Sequence, residues 1–486
     1  MLFAGCLPAS RHAGYDSEFG RRFSSSSPYP VLQRQIESLL PDSLFPPSNV
    51  SIKVASLHTG EVLYELNSRL LFTPGSNQKL LTAAAALHEL GREFQLSTLF
   101  SVDTSSGMIL AKGFGDPLLT TQDIDSAAHI LRPLLADDKE WMVAGDVSYF
   151  DDQYWGRGWM WDDEPDPTAM FISPLSVNGN VVRMRVGPGI AAGDSLMVTV
   201  EPPTSFVTVE NEGVTTADSV LERAKVTRLW REHSNLVKVG GQMRIGDSSR
   251  TYALSVLQPE YYTVTLLAER LKVLGVRIID TFISDSEFPP DRDSIQDGAF
   301  EVLRLSHRLD SVITYMNRTS DNLSAENLVK VLAAERRAVP GAAVDGLSVV
   351  RSFLAGRGID TTQIVTADGS GVSRYNLLST DVLVKLLTSM YADTTHFPIF
   401  YNSLAGAGEF GSLSNRMTGT PAGGNLRAKT GTLNGVCALS GYVMTADGEP
   451  LAFAMLMQNY AQSARIYRDV QDRIGVLLSR IRRSEL

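Results

Sequence analysis

Two residues at the start of an apolar helical segment could form a catalytic pair. The segment PGSNQKLLTAAAAL covers residues 74–87, and its first turn places Ser76 three positions before Lys79. Residues spaced i and i+3 share one face of a helix, so the lysine amine can lie within hydrogen-bonding distance of the serine hydroxyl. A partly desolvated lysine loses its proton more easily and can act as the base that activates the serine. Serine caps helices and lysine is common on their surfaces, so the pair needs support from elsewhere in the chain.

Two further polar motifs lie in the C-terminal half of the chain. Ser320, Asp321 and Asn322 open a predicted helix, and a Lys-Thr-Gly-Thr sequence at 429–432 lies on a predicted strand beside a hairpin. Each motif alone has an ordinary explanation, because serine and aspartate cap helices and lysine is common on solvent-facing strands. Chance becomes a poor explanation when all three motifs occur together in this order.

Together, Ser-x-x-Lys, Ser-Asp-Asn and Lys-Thr-Gly resemble the signatures of the penicillin-binding proteins and serine β-lactamases. The chain is most similar to the class C low-molecular-mass penicillin-binding proteins. Four features carry this closer resemblance: a long insertion between the first two motifs, DGSGVSRYN at 368–376, the residues RA before and LSGYV after the third motif, and GWMWDD at 158–163. The resemblance covers residues 30–470 and implies a D-alanyl-D-alanine carboxypeptidase that also acts as an endopeptidase on peptidoglycan.

The resemblance also implies a role for each motif residue. Ser76 would attack the carbonyl of the penultimate D-alanine while Lys79 takes its proton, which gives an acyl-enzyme. Ser320, held between Lys79 and Lys429, would relay a proton to the leaving amine, and Asn322 would hold the substrate amide. β-Lactam antibiotics would acylate the same serine and act as covalent inhibitors.

The third motif is expected to bind the end of the substrate. Lys429 would supply positive charge for the terminal carboxylate, with Thr430, Gly431 and Thr432 as further substrate-binding residues. The backbone N–H groups of Ser76 and Thr432 would form the oxyanion hole. No metal or other cofactor enters this chemistry.

The segment VAGDVSYF at 143–150 resembles a stretch of this family from which an acidic residue reaches the active-site cleft. Bacterial stem peptides commonly carry a free amine beside a carboxylate on their third residue, and we expect Asp146 to pair with that amine. The alternative is that Asp146 is a turn or strand-edge residue with a local hydrogen bond, because Gly-Asp is also common in turns.

Sequence patterns predict an α+β fold, in which a β-lactamase/transpeptidase-like domain has an antiparallel sheet flanked by helices. Long helical patterns and a hairpin at both ends of the chain assign residues 29–95 and 300–486 to this catalytic domain. Short alternating runs broken by Gly, Pro and Asp assign residues 96–299 to one or two inserted β-rich domains. Residues 1–28, which include four consecutive serines, are expected to form a tether.

The charge of the chain and its first residues limit the expected partners and the expected location of the protein. The formal net charge is −10, with acidic and basic residues mixed along the chain, which disfavours nucleic acid as a partner. Small residues precede Cys6 as at the end of a bacterial lipoprotein signal, which suggests a lipid anchor although the charged and apolar regions of such a signal are missing. With peptidoglycan peptides as the expected substrate, the protein would work outside the cytoplasm, in the periplasm or cell envelope.

Four other functions remain open on the sequence alone. A Ser-His-Asp hydrolase is disfavoured because no Gly-x-Ser-x-Gly occurs, and a metal enzyme because no His-Glu-x-x-His occurs. The acidic run around Asp162 is more simply a solvated loop. A β-lactamase shares all three motifs, but the long insertion argues against it and Glu326 is expected to be a surface residue. A non-catalytic cell-wall binding or β-lactam sensing protein is disfavoured because the motif residues are intact.

Overall fold

The computed structural model describes residues 25–41, 45, 48–284, 299–362 and 364–485. Cys6 and residues 1–24 of the expected tether lie outside this part of the chain. Within it, no helix combines the length and the apolar character needed to cross a membrane.

The described part of the chain contains twenty β-strands and ten α-helices. In chain order the strands are β1 (Ser25–Ser26), β2 (Asn49–Ser56), β3 (Val62–Leu66), β4 (Gln95–Asp103), β5 (Met108–Gly113), β6 (Glu140–Asp146), β7 (Val181–Gly187), β8 (Met197–Glu201), β9 (Thr208–Asn211), β10 (Val214–Thr216), β11 (Lys225–Arg228), β12 (Leu236–Gly240), β13 (Gln242–Arg244), β14 (Arg250–Ser255), β15 (Arg277–Ser284), β16 (Ala299–Arg308), β17 (Ala405–Gly406), β18 (Arg427–Leu433), β19 (Val436–Met444) and β20 (Pro450–Gln458). The helices are α1 (Pro30–Ser38), α2 (Gln78–Leu90), α3 (Thr121–Leu131), α4 (Pro259–Val273), α5 (Leu309–Thr319), α6 (Asn322–Arg336), α7 (Ala343–Gly356), α8 (Thr380–Ala392), α9 (Phe397–Ser403) and α10 (Ala464–Arg480).

The two ends of the chain share one antiparallel sheet with the order β1-β3-β2-β20-β19-β18-β17. Strand β2 pairs with β20, so residues near the start of the chain are hydrogen-bonded to residues near its end. Because β1 pairs with β3, Ser25 and Ser26 belong to the edge of this sheet rather than to the tether. The expected domain, built from both ends of the chain, is present.

Helices cover both faces of this sheet. In β20, Ala452, Ala454 and Leu456 pack with α2, α5, α6 and α8, while the alternating residues Phe453 and Met455 pack with α1 and α10. Successive strand residues point to opposite faces, so a strand buried on both sides is apolar throughout. The sequence PLAFAMLMQ follows this pattern.

The helix α2 lies in the middle of the larger core. Residues 80–87 are all buried, and α2 packs against α5, α6 and α7. Its four alanines leave room for close neighbours on every side, as expected of a fully buried helix. This packing fixes the first turn of α2, where the serine and lysine of the first motif lie.

The insertion is a mixed α/β structure and extends further than predicted. Its main sheet has the order β15-β6-β5-β4-β16, with three smaller sheets formed by β7 to β14. Strand β16 pairs with β4, so the insertion ends at Arg308 and not at residue 299. The sequence also missed α3 and α4, although Thr120 and Asp123 form a capping box at the start of α3.

Candidate active site

The serine and lysine of the first motif are in direct contact. Ser76 lies in a short 3₁₀ turn, Gly75–Asn77, immediately before α2. The Lys79 amine is 3.1 Å from the Ser76 hydroxyl oxygen. Gly75 has a φ of +52°, and a Cβ there would lie 3.3 Å from the backbone nitrogen of Thr432. Glycine therefore allows β18 to approach the turn that carries the serine.

Burial weakens the positive charge on Lys79. Its side chain is fully buried, and burial lowers its pKa to about 8, although the nearby carboxylates of Asp368, Glu326 and Asp321 act in the opposite direction. The amine also contacts Asn322 Oδ1 at 2.5 Å and the Ser370 carbonyl oxygen at 2.7 Å. A pKa near 8 gives Lys79 a minor but accessible neutral fraction at neutral pH, which suits a base, while the fixed contacts hold the amine next to the serine.

The second and third motifs meet at Ser320 and Lys429. Ser320 lies between α5 and α6 with a left-handed φ of 64°, a backbone strain of the kind that accumulates at functional sites. Its hydroxyl oxygen is 2.8 Å from the Lys429 amine, which also donates to the Thr430 carbonyl at 3.0 Å. The pKa of Lys429 lies well below its usual value. Burial is the larger cause, and repulsion by the charge of Lys79 is the smaller one.

Two details of the sequence prediction need correction here. Ser320 does not bridge the two lysines, because the described hydrogen bonds of Lys79 go to Ser76, Asn322 and Ser370. Asn322 is also engaged on both sides of its amide, accepting from Lys79 and donating to the Thr168 carbonyl at 2.6 Å. In this form of the site Asn322 links the base to the inserted domain.

The motif residues surround one open pocket with a volume of about 510 Å³. Its lining includes the two serines and Asn322, together with the hydroxyl-bearing residues of β18. Lys79, Lys429 and Gly431 lie behind this surface. The lining residues are Ser76, Asp162, Asp163, Asp166, Thr168, Ala169, Thr319, Ser320, Asn322, Gly371, Val372, Ser412, Arg416, Thr430, Thr432, Leu433 and Arg468.

The prediction that Asp146 reaches the cleft is wrong. Asp146 is the last residue of β6, its carboxylate is fully buried, and it forms an ion pair of 3.0 Å with Lys112 on β5. It also accepts from the backbone N–H of Ser148 at 2.9 Å. The local hydrogen bond that was the alternative explanation is therefore present, within the inserted sheet.

The acidic loop is solvent-accessible at Asp162 and Asp166, as expected, and it also lines the pocket. Asp162, Asp163 and Asp166 form part of its wall, and burial raises the pKa of Asp163. The loop is fixed by Trp159, whose indole N–H donates to Asp368 at 3.0 Å. Two of the segments that carried the family resemblance, GWMWDD and DGSGVSRYN, are thus in direct contact.

Glu326 is buried rather than exposed, because α6 is enclosed by neighbouring elements on nearly all sides. Its carboxylate accepts from the backbone N–H groups of Gly369, at 3.1 Å, and Ser370, at 2.8 Å. Burial, with the nearby charge of Asp368, raises the pKa of Glu326 to about 7. The Ser370 carbonyl accepts a hydrogen bond from Lys79. By holding the backbone at residues 369–370, Glu326 therefore helps to position the Lys79 amine.

Replacing Glu326 by glutamine should move the acid limb of the pH–rate profile for acylation to lower pH. A glutamine keeps an acceptor for the two N–H groups but removes the negative charge that raises the pKa of Lys79. We expect a shift of about 0.5–1 pH unit in kcat/KM. Glu335→Gln is the control, because Glu335 lies on the same helix and binds Tyr149 at 2.6 Å. An unchanged acid limb in Glu326→Gln would show that its charge does not reach Lys79.

One group of side chains in the described part of the chain has the spacing of metal ligands. Candidate ligand atoms of His88, Asp393 and His396 lie within 4.8 Å of one another. However, Arg357 donates to Asp393 at 2.7 Å and contacts His88 Nδ1 at 3.2 Å. The guanidinium already supplies the positive charge there, and the group is better described as an Arg-Asp-His network.

Comparisons with known proteins agree with the geometry. The model of the D-Ala-D-Ala carboxypeptidase 3 (S13) family matches residues 32–481. A D-alanyl-D-alanine carboxypeptidase of Actinomadura sp. is 31% identical over 474 residues, covering 92% of this chain and 84% of the relative. The D-alanyl-D-alanine carboxypeptidase DacB of Haemophilus influenzae is 25% identical, covering 85% of this chain and 86% of that protein.

The fold is also known from solved structures. Penicillin binding protein 4 from Haemophilus influenzae superimposes with a TM-score of 0.78 at 21% sequence identity, covering 92% of this chain and 99% of that one. At this identity the match shows the fold, including the insertion between the two parts of the catalytic domain.

Proposed function

The chain belongs to the D-Ala-D-Ala carboxypeptidase 3 (S13) family, and we propose that the pocket cleaves D-Ala-D-Ala bonds through an acyl-enzyme on Ser76. It is a serine-type D-alanyl-D-alanine carboxypeptidase whose substrates are peptidoglycan stem peptides. The observation that carries the mechanism is the 3.1 Å contact between the Ser76 hydroxyl and a buried lysine with a lowered pKa. Because the pocket is open and the resemblance to this family implies both activities, we include D,D-endopeptidase activity in the proposal.

In the acylation step the Ser76 oxygen attacks the carbonyl carbon of the penultimate D-alanine. The neutral amine of Lys79 accepts the hydroxyl proton as the new C–O bond forms. Backbone N–H groups of Ser76 and Thr432 stabilise the negative charge on the carbonyl oxygen, an effect often worth about 10²–10³ in rate. Contact between Gly75 and β18 supports this pairing of N–H groups.

Breakdown of the tetrahedral intermediate requires a proton on the leaving nitrogen. Ser320 faces the pocket and is 2.8 Å from the buried Lys429 amine, so its hydroxyl can donate while Lys429 replaces the proton. The leaving group is D-alanine, or the second peptide when the substrate is a crosslink. Water then attacks the acyl-enzyme and passes a proton through Ser320 to the now neutral Lys429, while the released serine oxygen regains its proton from Lys79. β-Lactams enter at the first step and remain on Ser76.

We assign the acidic wall to the part of the stem peptide that precedes the D-alanines. Asp162, Asp163 and Asp166 place negative charge along one side of the pocket, on a loop that binds Asn322 through the Thr168 carbonyl. A free amine on the third residue of the stem peptide would find its counter-charge there. This assignment takes the place of the contact expected for Asp146.

The purified protein is expected to release D-alanine from pentapeptide muropeptides and to convert crosslinked dimers into monomers. Digestion of sacculi followed by mass spectrometry of the muropeptides measures both reactions. Muropeptides acetylated on the third-residue amine are the matched substrates, and the lost charge contact should lower kcat/KM for them by about 10-fold or more. Release of D-alanine with intact dimers would restrict the function to carboxypeptidase, and no reaction at all would contradict the proposal.

Because peptidoglycan lies outside the cytoplasmic membrane, we infer that the protein works there. A lipid anchor at Cys6 is a separate proposal from the sequence, since this residue is outside the described part of the chain. Mass spectrometry of the native protein would detect the lipid directly.

A further inference from the structure

The carboxylate at the end of the substrate needs a positively charged partner, and Lys429 is not placed to provide it. Its side chain is fully buried, its amine is held by Ser320 and the Thr430 carbonyl, and it lies behind the pocket surface. Its neighbour Lys79 further disfavours a second positive charge. Lys429 is therefore suited to proton transfer, and the carboxylate has to be bound by another group.

Two arginines line the pocket, and they differ in what they bind. Arg416 donates twice to Asp472, at 2.9 Å and 2.6 Å, so its charge is already paired. Arg468 on α10 donates to the hydroxyl oxygen of Thr432 at 3.1 Å. Within the described chain no carboxylate lies at ion-pairing distance from the Arg468 guanidinium, although its side chain is half-buried at the substrate pocket.

The hydrogen bond to Thr432 also orients the threonine. Because its oxygen accepts from Arg468, the hydroxyl proton is directed elsewhere and can be donated. The guanidinium has five N–H donors in a planar arrangement that fits a carboxylate in a bidentate manner. Arg468 on α10 and Thr432 on β18 thus place a guanidinium and a hydroxyl donor next to each other at the edge of the pocket.

We propose that Arg468 and Thr432 form the carboxylate subsite of this enzyme. The ligand is the carboxylate of the residue on the leaving side of the scissile bond, whether a terminal D-alanine or the D-centre of a crosslinked residue. This inference rests on the proposed function and adds the residue that selects the leaving group. The pocket is then bipolar, with an acidic wall for the amine of the acyl side and an arginine for the carboxylate of the leaving side.

The test compares Arg468→Gln with the wild type on two peptides that differ only at their C-terminus, a free carboxylate and an amide. Arg468→Gln is expected to lower kcat/KM for the carboxylate peptide by about 10- to 100-fold. Hydrolysis of the amide peptide should stay within about twofold, which also shows that the variant is folded. Arg473→Gln is the matched control, because Arg473 is an exposed arginine on the same helix outside the pocket lining.

A second readout uses penicillin and its methyl ester, which lacks the free carboxylate. Arg468→Gln should slow acylation by penicillin more than acylation by the ester, and Arg468→Lys should restore part of the difference. Equal losses on both members of each pair, or no loss on either, would overturn the subsite. A wild-type protein that hydrolyses neither peptide would instead contradict the proposed function, so the two failures are distinguishable.

Discussion

Ser76→Ala is expected to abolish D-alanine release and covalent labelling by penicillin, with activity lowered by about 10⁴-fold or more. The change removes only the oxygen that forms the acyl-enzyme, and the side chain is half-buried at the pocket surface, so packing is barely altered. Thermal unfolding should therefore be close to that of the wild type. The measurements are kcat/KM on a pentapeptide and labelling with a fluorescent penicillin.

Ser412→Ala is the control for this variant. Ser412 also lines the pocket, and it binds Thr430 through a hydrogen bond of 2.8 Å. Its loss should leave the acyl-enzyme intact. If Ser76→Ala still hydrolysed the peptide at a measurable fraction of the wild-type rate, another nucleophile would be required.

Lys79→Ala is expected to slow acylation by about 10²–10⁴-fold, the range lost when a general base is removed. The described residues place no other side-chain amine in contact with the Ser76 hydroxyl. The rate constant for penicillin acylation measures this step without turnover. In the wild type this rate should rise with pH through the Lys79 pKa of about 8, because only the neutral amine accepts a proton.

Lys79→Arg separates a base from a simple positive charge. An arginine keeps the cation but does not lose its proton, so it should be as inactive as the alanine variant. Recovery of acylation in Lys79→Arg would show that the residue acts only by its charge. The expected pH dependence should also disappear in both variants.

The residues proposed to be catalytic could be identified from the sequence because their motifs depend on order and spacing along the chain. The spacing of Ser76 and Lys79 on one helical turn, and Asn322 at the start of α6, are local features that the structure reproduces. The helices and hairpins of the catalytic domain were equally accessible, because periodic apolar patterns mark buried faces.

What the sequence could not predict depends on partners that are distant in the chain. The alternation of apolar and polar residues correctly predicted that Asp146 lies on a strand. Its ion-pair partner Lys112 lies on a neighbouring strand, 34 residues away in the chain, and the sequence pattern does not indicate that pairing. Glu326 lies on a helix that is enclosed on nearly every side. The pattern of apolar and polar residues along this helix therefore does not separate a buried face from an exposed one, and the burial of Glu326 could not be predicted from it. The motif identified Lys429, but only the tertiary structure shows that its amine is buried and held by Ser320.

Because β2 pairs with β20, the sheet that holds the site can be completed only at the end of synthesis. Ser76 is made early, but the strand that carries Lys429 and Thr432 follows about 350 residues later. The two strands that pair to close the inserted sheet, β4 and β16, are both translated before β18 to β20. Contacts between such distant residues form late and slowly in folding. A growing chain therefore carries Ser76 without a working site, and hydrolytic competence arises only when the C-terminal strands have joined the sheet.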